Sequence, residues 1–490
     1  MMTVEKANDY IRKKSSDVIS EYRQGIHLAA PIGWMNDPNG FVYYKGEYHL
    51  FYQFYPYDSV WGPMHWGHAK SKDLIHWEDL PVALAPTEEY ELDGCFSGSA
   101  IVKDGKLCLL YTGHYDREGV RREVQCLATS TDGIHFDKHP DNPLIDERQL
   151  GNYGDSQDFR DPKVLERDGL YYTVLATKTP NELGRILMFK SEDLLTWDFY
   201  SVVLEGEAHQ GIMWECPDLF HLDGKDVLIM SPIEMKQEGH AYANLSSTVA
   251  FIGEMDWETG KLSVENYHEI DGGLDFYAPQ TCENEQGERI MVAWMQMWQR
   301  NFPTHDLGHG WAGCMTLPRK LHVVDNYLCQ EPVRGLEESL IPVLDEKAIT
   351  FKEDERKVYQ KVLSTQAVIT VSTKLSEGDC FEIGLLETST DHFNITVDGT
   401  SNSIVASRAN IGHSIKGLEE SHLTERQVVM PLCQKQLTLT MVIDTSSIEL
   451  FINQQQTMSF TLFPTERGKD FSIKSTGRMS LESLIISEVR

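Results

Sequence analysis

Three carboxylates set among turn residues and aromatics hold most of the chemical potential of this chain. They are Asp37 in "WMNDPNG", Asp161 in "FRDP" and Glu215 in "ECPD". Two carboxyl groups flanking one bond suffice for glycoside cleavage: one attacks the anomeric carbon or activates water, and the other protonates the leaving oxygen. Glu215 lies between Trp214 and Cys216. That apolar setting predicts a raised pKa, suited to a general acid. Asp37, beside Asn36 and the amides of a turn, is expected to stay ionised and to suit a nucleophile. Arg160 would keep Asp161 charged, able to grip hydroxyls and to stabilise a cationic transition state. Trp34, Trp61, Phe96, Tyr277, Trp294 and Trp298 near the same clusters supply flat faces for a sugar ring. His65 and His68 of "MHWGH" lack carboxylate partners in sequence, so no metal is expected.

Taken singly, each motif has an ordinary structural explanation, since Asp-Pro-Asn-Gly is a turn sequence. Position in the chain changes this. "SKDLIHW", "STDGIHF" and "SEDLLTW" recur at intervals close to sixty residues, with a looser "GEMDW" after them. A second element keeps the same period: a polar or Pro-containing cluster, a strand, a glycine hairpin and another strand. Its hairpin glycines are Gly46, Gly105, Gly169, Gly224 and Gly287. Five copies of an all-β unit predict a five-bladed β-propeller, because blades repeat radially around a channel. The first strand of each blade lines that channel. Asp37, Ser97, Asp161, Glu215 and Tyr277 are therefore expected at equivalent points, facing one funnel.

The rest of the chain follows from composition and patterning. Residues 1–24 read as an N-terminal helical segment, with the helix over about Val4 to Tyr22. Residues 25–334 are the propeller, 335–350 a linker, and 351–490 short alternating strands that read as a β-sandwich. With 44 basic against 75 acidic residues the net charge is −31, which argues against nucleic acid or an anionic membrane as partner. Nine cysteines at irregular spacings, and no signal-like apolar run at the start, favour a cytoplasmic protein with reduced thiols. A monomer or homodimer is expected.

These motifs match a known family. "WMNDPNG", "FSGS", "FRDP" and "ECPD", with "WGPMHWGHAKSKDLIHW", "DFYAPQT", "GWAGCMTLPRKL" and "IDTSSIELFIN", resemble in their order the signature segments of glycoside hydrolase family thirty-two. That family contains invertases, sucrose-6-phosphate hydrolases and fructanases. The resemblance implies hydrolysis of terminal β-D-fructofuranosides with retention and without a cofactor. It makes Asp37 the nucleophile and Glu215 the acid/base, with Asp161 and Arg160 holding fructose hydroxyls. Trp34, Met35, Asn36, Gln53, Trp61, Phe96, Ser97 and Tyr277 would line the sugar site. Sucrose-6-phosphate and sucrose are the preferred substrates. A phosphate would need cations at the mouth, for which Arg117, Arg121, Arg122, Lys236, His240, Arg300 and His305 are candidates. An exo-fructanase, a fructosyltransferase, a related arabinan-acting propeller and a non-catalytic sugar-binding propeller are the alternatives.

Overall fold

The computed structural model describes residues 2–376, 378–418, 423–430 and 435–490. It is an all-β molecule with a helix Val4–Lys14 at its start. The Thr3 hydroxyl accepts the Lys6 N–H (3.3 Å), and Arg12, Lys13 and Lys14 occupy the last turn, where the helix dipole favours cations. The helix stops well short of Tyr22. Ser15, Ser16 and Asp17 offer the backbone competing side-chain partners and form only a 3-10 turn.

Between Gly33 and Pro332 the chain folds into five sheets. Their first strands are Gly33–Tyr44, Gly94–Lys103, Arg160–Arg167, Met213–Leu222 and Tyr277–Glu283. The hairpins that follow turn on Gly46, Gly105, Gly169, Gly224 and Gly287, all at positive φ, a conformation that glycine adopts without steric cost. Each first strand packs against the next, and the fifth packs against the first. A late segment, Trp311–Ala312, adds itself in parallel to the first strand through Gly33↔Trp311 and Trp34↔Ala312. Apolar residues fill the spaces between sheets; Val174, Met188, Trp214, Leu228 and Phe251 are fully or almost fully buried together. Each such side chain contributes about 1.5–3 kcal/mol on burial.

Two six-stranded sheets follow, packed over one core that includes Phe381, Ile383, Leu439, Met441 and Phe460. Strand His392–Asp398 shows the alternation that produces this, with Phe393, Ile395 and Val397 inward. Residues 335–350, expected as a linker that could hold a short helix, contain most of that helix but are otherwise mostly strand. After a short helix Arg334–Glu338, strand Leu340–Phe351 pairs along its length with the final strand, Met479–Val489. It lies at the edge of its sheet and carries Pro342 and the charged run of Asp345, Glu346 and Lys347, which suit an edge strand.

The two parts meet through buried ions. Arg319 has no exposed side-chain surface and reaches Asp271 at 3.0 Å and also Glu449. His27 sits between Asp444 (2.8 Å) and Glu449 (2.7 Å). The eight described cysteines are free thiols. Among the described residues no helix is long and apolar enough to cross a membrane.

Candidate active site

Each of the five first strands breaks its pairing at one comparable point. The ladder skips Asn36 and Asp37, then Ser97, then Asp161 with Pro162, Cys216 with Pro217, and Ala278 with Pro279. The prolines account for several of these breaks, since a residue without an N–H is tolerated in a sheet at a bulge. A bulge also re-aims the side chains beside it. Asp161, Cys216 and Ala278 take φ values of 63°, 50° and 51°, a left-handed conformation that residues with a Cβ seldom adopt. Such strain clusters at functional sites.

The bulges sort the inward residues into two tiers. Asp37, Ser97, Asp161, Cys216 and Ala278 form one, and Asn36, Phe96, Arg160, Glu215 and Tyr277 the other. Glu215 and Tyr277 were expected level with Asp37 and Asp161. They stand one residue earlier, level with Arg160, because "RDP", "ECP" and "YAP" align on their prolines.

Contacts follow the tiers. In the first, the Ser97 hydroxyl donates to Asp37 Oδ2 at 3.4 Å and the Cys216 N–H to Asp161 Oδ2 at 2.9 Å. The Cys216 thiol lies between the two aspartates, 3.7 Å from Asp37 and 3.6 Å from Asp161. Asp37 Oδ1 is buried without a hydrogen-bond partner. In the second tier, Arg160 donates to Glu215 Oε1 from Nη2 (2.8 Å) and Nε (3.2 Å), and the Tyr277 hydroxyl donates to Oε2 (2.5 Å). Arg160 also stands 3.9 Å from Asp161 and so links the tiers. Below them Asn39 fastens the first two strands, donating to the Asp37 carbonyl and accepting the Gly98 N–H.

This geometry revises the expected charge states. Burial and the neighbouring Glu215 carboxylate push Asp37 up to about 7, so it is not the freely ionised residue that its turn suggested. Asp161 also rises to about 7: burial outweighs the pull of Arg160, and Glu215 adds to the rise. Glu215 does not occupy an apolar slot. Trp214 packs away from the site, against Gly184 and Gly206, while Glu215 is gripped by an arginine and a tyrosine.

A pocket of about 330 Å³ opens over these groups. Asp37, Asp161, Glu215, Asn36, Gln53, Trp61, Phe96, Ser97 and Arg160 line it. Trp34, Met35 and Tyr277 do not: Trp34 orients Asn36 through an Nε1–H bond of 2.7 Å, Met35 is core, and Tyr277 lies under Glu215. His114, Asp116, Arg121 and Trp298 line the pocket too. His114 and Asp116 went unread because "YTGHYD" continues an ordinary strand of the second sheet; only its repeat position, entering the same funnel, marks them. Of the seven cations considered for a phosphate, Arg121 alone is among these lining residues. His65 and His68 turn to separate partners, the Pro63 carbonyl and His49.

The family model described as glycosyl hydrolases family 32 N-terminal domain matches residues 27–332, the whole stretch that carries both tiers. The chain belongs to glycosyl hydrolases family 32. Its C-terminal model matches residues 343–488, and the protein is accordingly a glycoside hydrolase. A sucrose-6-phosphate hydrolase of Zymomonas mobilis is 37% identical, over 96% of this chain and 93% of that one. A raffinose invertase of Escherichia coli is 36% identical, over 91% of each chain. Among solved structures of the family, a Bombyx mori beta-fructofuranosidase mutant in complex with sucrose superposes with a TM-score of 0.85. It is 34% identical and covers 99% of this chain and 98% of its own.

Proposed function

We propose that this family 32 chain hydrolyses terminal β-D-fructofuranosides, sucrose-6-phosphate and sucrose first among them, by double displacement at Asp37 and Glu215. The observation that carries the reading is the convergence of Asp37, Asp161 and Glu215 on one pocket, where Glu215 alone of the three accepts hydrogen bonds from Arg160 and Tyr277. Asp37 attacks the fructosyl anomeric carbon as the bond to the leaving oxygen breaks, and Glu215 gives that oxygen its proton. Water then attacks the same carbon and yields its proton to Glu215, releasing fructose and restoring the Asp37 carboxylate. Burial and mutual repulsion raise Asp37 and Asp161 to about 7, so the pocket retains a proton near neutrality. Asp161 and Arg160 hold fructose hydroxyls, assisted by Asn36, Gln53 and Ser97, while Trp61 and Phe96 face the sugar.

The supporting architecture is a closed five-bladed β-propeller over 25–334, with segment 1–24 outside it. Closure is supported by the succession of first-strand contacts and by the Trp311–Ala312 pairing. A β-sandwich follows, beginning at Leu340 rather than 351. The named substrates of the relatives support the choice of sucrose-6-phosphate. A phosphorylated disaccharide is made inside cells, so a cytoplasmic location accompanies it. The test is kcat/KM for sucrose-6-phosphate, sucrose and inulin side by side, with Glu215→Gln as control. The proposal expects the phosphate ester first, inulin last, and a fall of about 10²- to 10⁴-fold in the variant. Faster turnover of inulin would overturn the substrate assignment, and an active variant the acid/base role.

A further inference from the structure

Arg160 presents a difficulty for Glu215 as an acid. A guanidinium 2.8 Å from a carboxyl favours the ionised form, which has no proton to give. The far side of the guanidinium offsets this. Glu123, on strand Val120–Ser130 of the second sheet, is fully buried and does not line the pocket. Its Oε2 accepts from Arg160 Nη1 at 3.0 Å and from the Phe159 N–H at 2.8 Å. Its Oε1 faces His114 Nδ1 at 3.2 Å and Arg121 Nη2 at 3.4 Å. Asp158 takes the same Arg160 Nη1 at 2.8 Å. Burial works against ionisation of Glu123, but Arg160, His114 and Arg121 outweigh it and hold its carboxyl below the usual glutamate value. Arg160 thus meets two carboxylates on Nη1 before its Nη2 and Nε reach Glu215.

We propose that Glu123 is a positioning residue for glycoside cleavage: it anchors Arg160 and absorbs its charge, so that the guanidinium aims Glu215 without holding it as a counter-ion. The inference rests on the reading of Glu215 as acid/base. The groups facing Glu215 are Arg160, Tyr277, Asp37, Asp161 and Cys216; those facing Glu123 are Arg160, His114, Arg121 and, across the guanidinium, Asp158. Among them Glu123 and Asp158 are the carboxylates that bond Arg160 without lining the pocket. Removing either leaves more of the positive charge on Glu215.

The experiment is the pH profile of kcat/KM for Glu123→Gln, measured with sucrose and with a nitrophenyl β-D-fructofuranoside whose leaving group needs no protonation. On sucrose at neutral pH the variant is expected to lose about tenfold or more, with the basic limb moved to lower pH by about one unit. On the nitrophenyl substrate the loss is expected to be markedly smaller. Equal losses on both substrates with an unmoved basic limb would overturn the proposal and leave Glu123 a structural residue. Should Glu123→Gln fail to fold, Asp158→Asn decides: its basic limb must move the same way, and an unmoved limb overturns the proposal. Glu215→Gln run in parallel separates the two levels. If it stays active on sucrose, the acid/base reading falls and this inference with it. If it is inactive while the Glu123 and Asp158 limbs stay put, this inference alone falls.

Discussion

Replacing Asp37 with Asn should abolish catalysis and at the same time stabilise the protein at neutral pH. Asp37, Asp161 and Glu215 share one buried pocket with a single guanidinium between them, and burial and Glu215 raise Asp37 from 3.8 to about 7. A carboxyl raised on folding binds its proton more tightly in the folded state. The folded state therefore loses stability relative to the unfolded one as pH rises from about 4 to about 7, and the whole cost is present above that. An interval of about three pH units corresponds to about 4 kcal/mol at 1.36 kcal/mol each. Because Asp161 titrates with Asp37, part of this is shared, and about 2–4 kcal/mol should be recovered by the neutral amide. Unfolding entropy scales at about 2 cal/mol/K per residue, so a chain of this size should gain about 2–4 °C in Tm. Thermal scans at pH 8 and pH 4, at one scan rate, make the comparison. Asp37→Asn should melt higher than the parent at pH 8 and level with it at pH 4. A lower Tm at pH 8, or a difference independent of pH, would refute the electrostatic account of the pocket.

The buried ions between the two halves predict the opposite slope. His27, held by Asp444 and Glu449, is raised from 6.5 to about 9, so its contribution is fully present below pH 6.5 and lost as pH rises through 9. His27→Gln should therefore lower Tm strongly at pH 6 and little at pH 10. Arg121 lines the pocket with an Nε that lacks a partner, and under the proposed function it is the candidate to meet a phosphate on the leaving glucosyl group. Arg121→Gln should lower kcat/KM for sucrose-6-phosphate at least tenfold more than for sucrose, and equal losses would remove it from that role. Trp61 is 46% exposed and meets Phe96 edge-on at 6.2 Å. Trp61→Ala should raise KM with a small change in kcat, which steady-state kinetics on sucrose would show.

Most of the fold could be read from glycines, prolines and period. The hairpin glycines marked five sheets because each needs the positive φ that glycine tolerates, whereas the bulges at "RDP", "ECP" and "YAP" appear only in the structure. What could not be read was the phase within a bulge. A stretch that breaks the two-residue alternation gives no local sign of which neighbour faces inward, and Glu215 and Tyr277 were placed one residue late for that reason. Trp34 and Met35 adjoin Asn36 and Asp37 in sequence, yet they pair regularly on the strand before the bulge and become supporting positions. The surroundings of Glu215 were misread on different grounds. Trp214 next to Glu215 suggested an apolar slot, but adjacent residues on a strand point to opposite faces, so its indole says nothing about the carboxylate's surroundings. Glu123 sits in a strand with no motif, and its bond to Arg160 joins two sheets.

The central claim is that Asp37 forms the bond to fructose, and a trapped intermediate tests it most directly. Glu215→Gln, given a nitrophenyl β-D-fructofuranoside, should be fructosylated rapidly and released slowly, because the departing phenolate needs no acid whereas the attacking water needs a base. Acid quench, pepsin digestion and tandem mass spectrometry should then locate one fructosyl residue on the Asp37 carboxyl. A fructosyl group on another side chain, or nitrophenolate release with no covalent adduct at any time, would contradict the account.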